Sequence, residues 1–184
     1  MKKIACFLAQ GFEEVEALQP LNLLKRAGCQ TIIVGVYEKQ IKSSRGVTIV
    51  ADTLLQDWDK DADCFILPGG MPGGTNLEKS KELKDLIVSN FQKGKLIAAM
   101  CSAPATALAS WGILKGKKLT CYPDMAKRII EGTYVETPLC VDGNLITAQG
   151  SGDSILFGFA IIEAFLGKDV IAKVKKEICY PYLP

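Results

Sequence analysis

A cysteine stands where an apolar run meets a helix-prone run. Residues 95–100 are short and apolar behind a leading lysine, as expected of a strand buried on both faces. Residues 103–109 are alanine-rich and favour helix. Cys101 lies between them with no intervening loop, and the small residues Ala99 and Ala103 flank it. A strand that turns straight into a helix exposes the turning residue, the geometry of a nucleophile elbow. The turn also sets Cys101 beside a helix N-terminus, whose partial positive charge is expected to favour thiolate, the reactive form. The plain alternative is a buried core cysteine.

Two further features could serve that thiol. Glu16 lies four residues from both Phe12 and Pro20, so it shares a helix face with apolar neighbours. Burial there raises its pKa toward the neutral acid, which can donate a hydrogen bond to a thiolate. Glu13 and Glu14, by contrast, read as helix-end electrostatics. The segment Pro68-Gly69-Gly70-Met71-Pro72-Gly73-Gly74 is the most glycine-rich loop of the chain. Such a loop lets backbone N–H groups face an anion. It has neither the Lys-Ser/Thr ending of a Walker loop nor Gly-x-Gly-x-x-Gly spacing. It reads as an oxyanion-type loop, with a plain connector as the alternative.

The 184 residues contain no histidine. This excludes Cys-His and Ser-His-Asp machinery and removes the commonest zinc ligand. The seven cysteines are scattered with no Cys-x-x-Cys, so a metal is not expected. Cys6 and Cys64 fall in apolar strands and read as core. At 48% apolar and 23% charged, the composition is that of a globular protein. A formal charge of +2 with no strong basic run argues against specific nucleic-acid binding. No apolar run is long enough to span a membrane, and Met1-Lys2-Lys3 opens a strand rather than a signal peptide. A cytoplasmic protein is expected.

The elements that must position these groups alternate. Strands are expected over 2–9, 31–36, 63–67, 95–100 and 118–121, with a peripheral extended segment within 42–52. A short strand is expected at 134–136 and a hairpin over 139–149 through Asp142-Gly143. Helices are expected over 12–28, 77–92, 125–130, 155–166 and 168–177. Residues 1–184 thus read as one α/β domain with a mainly parallel sheet. Sites in such sheets form beyond the carboxyl ends of the strands, where Gln10-Gly11, Gly69-Gly70 and Cys101 would converge.

Five stretches in order resemble the ThiJ/PfpI superfamily, specifically its DJ-one branch, the parkinsonism-linked protein family. They are Glu13-Glu14-x-Glu16-x-x-x-Pro20 with Arg26-Ala27-Gly28, Ser44-Arg45, Leu67-Pro68-Gly69-Gly70, Ile97 to Pro104 around Cys101, and Gln149-Gly150-Ser151-Gly152. The resemblance implies a flavodoxin-like three-layer sandwich, similar to class I glutamine amidotransferases, and a homodimer. It implies Cys101 as the reactive cysteine, Glu16 as its protonated partner, and the Gly70 and Ser102 amides as an oxyanion hole. It brings Arg45 to the site across the dimer, to bind substrate or another anion. Gly69, Tyr122, Ser151 and Gly152 are expected to line the site. The activities implied are cofactor-free glyoxalase or deglycase chemistry on α-oxoaldehydes such as methylglyoxal and on their protein or nucleotide adducts. The alternative is an oxidative-stress sensor and redox-regulated chaperone in which Cys101 becomes a sulfinate. Several relatives carry a histidine before a proline about twenty residues past the cysteine. Tyr122-Pro123 stands there in this chain, which argues against protease-like chemistry.

Overall fold

The computed structural model describes residues 1–181. Its strands are β1 (Lys3–Leu8), β2 (Gln30–Gly35), β3 (Gln40–Lys42), β4 (Thr48–Val50), β5 (Thr53–Leu54), β6 (Cys64–Leu67), β7 (Leu96–Met100), β8 (Lys118–Leu119), β9 (Thr133–Tyr134), β10 (Leu139–Asp142) and β11 (Leu145–Ala148). The helices are α1 (Glu14–Arg26), α2 (Gly73–Glu78), α3 (Lys81–Gln92), α4 (Ser154–Leu166) and α5 (Lys168–Glu177). A π-helical stretch, Pro104–Leu108, comes just after the cysteine. Seven strands form one sheet in the order β10-β11-β7-β6-β1-β2-β5, and only β10 runs antiparallel to its neighbour.

Alternation along the strands divides the core in two. Ile4, Cys6 and Leu8 of β1 face one side, with Leu21, Leu23 and Leu24 of α1, Phe157 and Ile161 of α4, and Val174 of α5. Ala5 and Phe7 face the other, with Leu83 and Ile87 of α3 and Ala103, Ala107 and Leu108 beyond the elbow. Both faces of the sheet are covered, so the central strands read as unbroken apolar runs. The result is the expected three-layer α/β architecture with a mainly parallel sheet.

Three local expectations need correcting. The single helix over 77–92 is two helices. Ser80 starts the second by accepting the Leu83 N–H at 3.2 Å, satisfying a helix-end donor. The segment around 125–130 is a run of 3-10 turns, Pro123–Arg128, rather than α-helix. The first helix begins at Glu14, two residues past Phe12, with Glu13 as its cap. The peripheral extended segment is the β3–β4 hairpin, a small sheet of its own. Gly11 N–H donates to the Lys42 carbonyl at 2.8 Å and Ser44 N–H to the Phe12 carbonyl at 2.7 Å, holding the hairpin over the start of α1.

Candidate active site

The four parallel strands β1, β6, β7 and β11 end on the same side, and the segments leaving those ends, with the β3–β4 loop and the turns after β8, build the site. At the end of β7, Cys101 has φ +58°, in the left-handed region that non-glycine residues rarely enter. Its backbone is held from both sides. The Cys101 N–H donates to the Ala148 carbonyl at 2.9 Å, and its carbonyl accepts the Tyr122 N–H at 2.8 Å. A strained turn persists when its surroundings determine it in this way. The elbow expected from sequence is therefore present, and it leaves the Cys101 side chain partly exposed. Cys6, Cys29, Cys64 and Cys121 are buried, and burial pushes the Cys6 and Cys64 thiols far up.

Glu16 comes from the first turn of α1 and is 1% exposed. Its Oε2 accepts the Gly69 N–H at 2.7 Å. The Gly69 carbonyl in turn accepts the Glu13 N–H at 3.0 Å. The loop after β6 is thus fastened to the helix start through both polar groups of Gly69. The next residue, Gly70, turns at φ +87°, where a side chain would meet Glu13 and Gly11. Its carbonyl accepts the Ser102 hydroxyl at 3.1 Å. The backbone N–H groups of Gly70 and Ser102 both face the Cys101 sulfur as donors.

Cys101 and Glu16 meet over Gly69, close enough for each to shift the other's pKa. Burial raises Glu16 to about 7; the Gly69 amide and the Cys101 thiol oppose the rise, and the Glu13 charge adds to it. That direction is the one read from sequence. Cys101 moves against expectation. Burial first, then the Glu16 carboxyl, push its thiol up to about 12, and the Gly70 and Ser102 amides offset only part of this. Burial and the neighbouring carboxyl both act on the thiol, and the thiol acts in turn on the carboxyl, so the two groups titrate as one coupled pair.

A cavity of about 650 Å³ opens above the pair. Glu16, Gly70, Cys101, Ser102, Tyr122 and Ser151 line it. Arg45 lines it too, but from its own chain, whereas the expectation brought it across from a second copy. Gly69 and Gly152 are not among its lining residues. Gly69 lies behind the pair, where its amide serves Glu16. Glu13, Ser44, Met71, Met125 and Gly150 complete the wall, a role that sequence reasoning missed. They come from five separate segments, and the one available signal is their closeness in sequence to Glu16, Arg45, Gly70, Tyr122 and Ser151. No cluster among the described residues could hold a metal ion. No described helix is long and apolar enough to cross a membrane.

Comparison with known proteins bears on this geometry. Residues 2–164 match the DJ-1/PfpI family. Protein DJ-1 homolog B of Arabidopsis thaliana is 37% identical over 176 residues, 94% of this chain and 40% of that protein. The chain thus spans less than half the length of this plant relative. Glutathione-independent glyoxalase DJ-1 of Schizosaccharomyces pombe is 31% identical over 193 residues, 98% of this chain and 100% of that protein. Among solved structures, a cysteine-to-alanine mutant of a DJ-1 superfamily protein from Salmonella typhimurium superposes with a TM-score of 0.94. It shares 33% identity and covers 99% of this chain and 100% of its own.

Proposed function

We propose a function from one premise: the chain belongs to the DJ-1/PfpI family. It acts as a thiol enzyme on α-oxoaldehydes, converting them to 2-hydroxy acids with its own side chains. The observation that carries this reading is the Cys101–Glu16 pair, with two amide donors on the sulfur, opening into the cavity. The relative named as a glutathione-independent glyoxalase supports it at the level of the family.

The chemistry starts from the pair. Glu16, at about 7, is matched to proton transfer near neutral pH. It takes the Cys101 proton as sulfur attacks the aldehyde carbon. The carbonyl electron pair moves onto oxygen, where the Gly70 and Ser102 amides stabilise it until it is protonated. The product of this step is a hemithioacetal. Glu16 then carries a proton from the former aldehyde carbon to the neighbouring carbonyl carbon. One carbon is oxidised as the other is reduced, so no outside oxidant is needed. Water cleaves the resulting thioester, releasing the hydroxy acid and restoring the thiol. Without an imidazole to share the transfers, turnover is slow.

Purified protein supplied with methylglyoxal should form lactate, read by proton NMR. Cys101→Ala should abolish it, and Glu16→Gln should lower it by about 100-fold or more. Wild type making lactate no faster than Cys101→Ala sinks the reading. If mild peroxide then adds two oxygens to Cys101 ahead of the exposed Cys179, oxidant sensing takes its place.

A further inference from the structure

Glu13 stands at three junctions of the site. Its backbone N–H donates at 3.0 Å to the Gly69 carbonyl, the oxygen of the same peptide whose N–H, on Gly70, faces the Cys101 sulfur. Its side chain accepts the Glu16 N–H at 2.9 Å, capping α1 in the turn that carries Glu16. It also lines the cavity. Helix caps are usually Ser, Thr, Asp or Asn, whose short side chains reach the same amide. Capping alone therefore does not require a glutamate.

We propose that Glu13 is the positioning residue of the Cys101–Glu16 pair, locking the 69–70 peptide to α1 and placing a negative charge beside the Glu16 carboxyl. The assignment rests on the reading of Cys101 and Glu16 as a proton-exchanging pair. Its physical content is twofold. A donor on the Gly69 oxygen orients that peptide and polarises its far end, strengthening the Gly70 N–H as a donor to sulfur. A like charge near Glu16 disfavours its ionised form, so the proton leaves at higher pH. The other groups facing Glu16 are the Cys101 thiol from the elbow and the Gly69 amide from the β6 loop, both of which favour ionisation. Arg45, from the β3–β4 loop, and Tyr122, beyond β8, line the same cavity.

The test is the pH profile of Cys101 alkylation by iodoacetamide, monitored by mass spectrometry on the full chain, with melting temperature recorded in parallel. Wild type should show an inflection near the Glu16 value of about 7. Glu16→Gln should remove it. Glu13→Gln keeps an oxygen to cap the helix but loses the charge. Its inflection should move down by about half a pH unit or more, at nearly unchanged melting temperature. Glu13→Asp keeps both cap and charge and should stay near wild type. A Glu13→Gln profile that coincides with wild type, over an inflection that Glu16→Gln does remove, overturns the role of Glu13 alone. A wild-type profile that Glu16→Gln leaves unchanged overturns the pair, and the assignment of Glu13 with it.

Discussion

Gly69 has room for a hydrogen and for little else. A Cβ there would lie 2.7 Å from the Ser102 nitrogen, 2.8 Å from Cys101 Cβ and 2.9 Å from Glu16 Oε2. None of these is the free end of a flexible chain, since each is already fixed by the elbow or by the Gly69 amide. Gly69→Ala should therefore cost about 1–3 kcal/mol of stability, the usual range for overpacking. It should also slow Cys101 alkylation at neutral pH by pushing the pair apart. Urea titration and a thiol-labelling time course measure the two effects, and a variant with wild-type values in both contradicts the packing described. At this scale the sequence is readable where residue type and position agree. Cys101 announces itself by sitting between a strand and a helix, and Glu16 by its apolar neighbours. Glu13 reads only as helix-end charge, because the carbonyl it holds is 56 residues away. The upward push on the Cys101 thiol is missed from sequence because a helix terminus is visible there, whereas the extent of burial around the thiol is not.

The elements are legible in proportion to how far their pattern outruns local chemistry. Buried parallel strands such as β1, β6 and β7 are continuous apolar runs bounded by turns, and they lie close to where the residues suggest. The break between α2 and α3 is hidden because it falls in Glu78-Lys79-Ser80, where no glycine or proline marks it. Only the Ser80 side chain, turned back onto the Leu83 amide, marks the new start. Ser80→Ala should lower stability by about 1 kcal/mol through loss of this cap. It should leave Cys101 alkylation untouched, because α3 contributes nothing to the cavity wall. Denaturation and labelling of one preparation check both statements. The turns over Pro123–Arg128 look like α-helix from composition. They instead obey the demands of the cavity, into which Tyr122 and Met125 must both face.

For the molecule as a whole, Glu16 ties stability to pH. Its folded-state value, about 7, lies above its ordinary value of 4.5, so the folded protein binds this proton more tightly than the unfolded chain does. That stabilisation is fully present below about pH 4.5 and is lost as pH rises through 7, a change of about 3 kcal/mol. Unfolding free energies measured from pH 5 to 8 should fall for wild type and change much less for Glu16→Gln. Equal slopes in the two proteins would contradict the burial of this carboxyl. The three-layer arrangement is the most legible feature of all, since alternating strands and helices leave few ways to cover both sheet faces. Less legible is how late the site is completed along the chain. The amide of Cys101 is anchored on the carbonyl of Ala148, and Gly150 and Ser151 close the cavity wall. During translation, Cys101 therefore leaves the ribosome well before the residues that hold its turn. The turn at Cys101 is complete only when β11 docks beside β7, so the geometry of the elbow depends on the chain having folded through the last strand of the sheet.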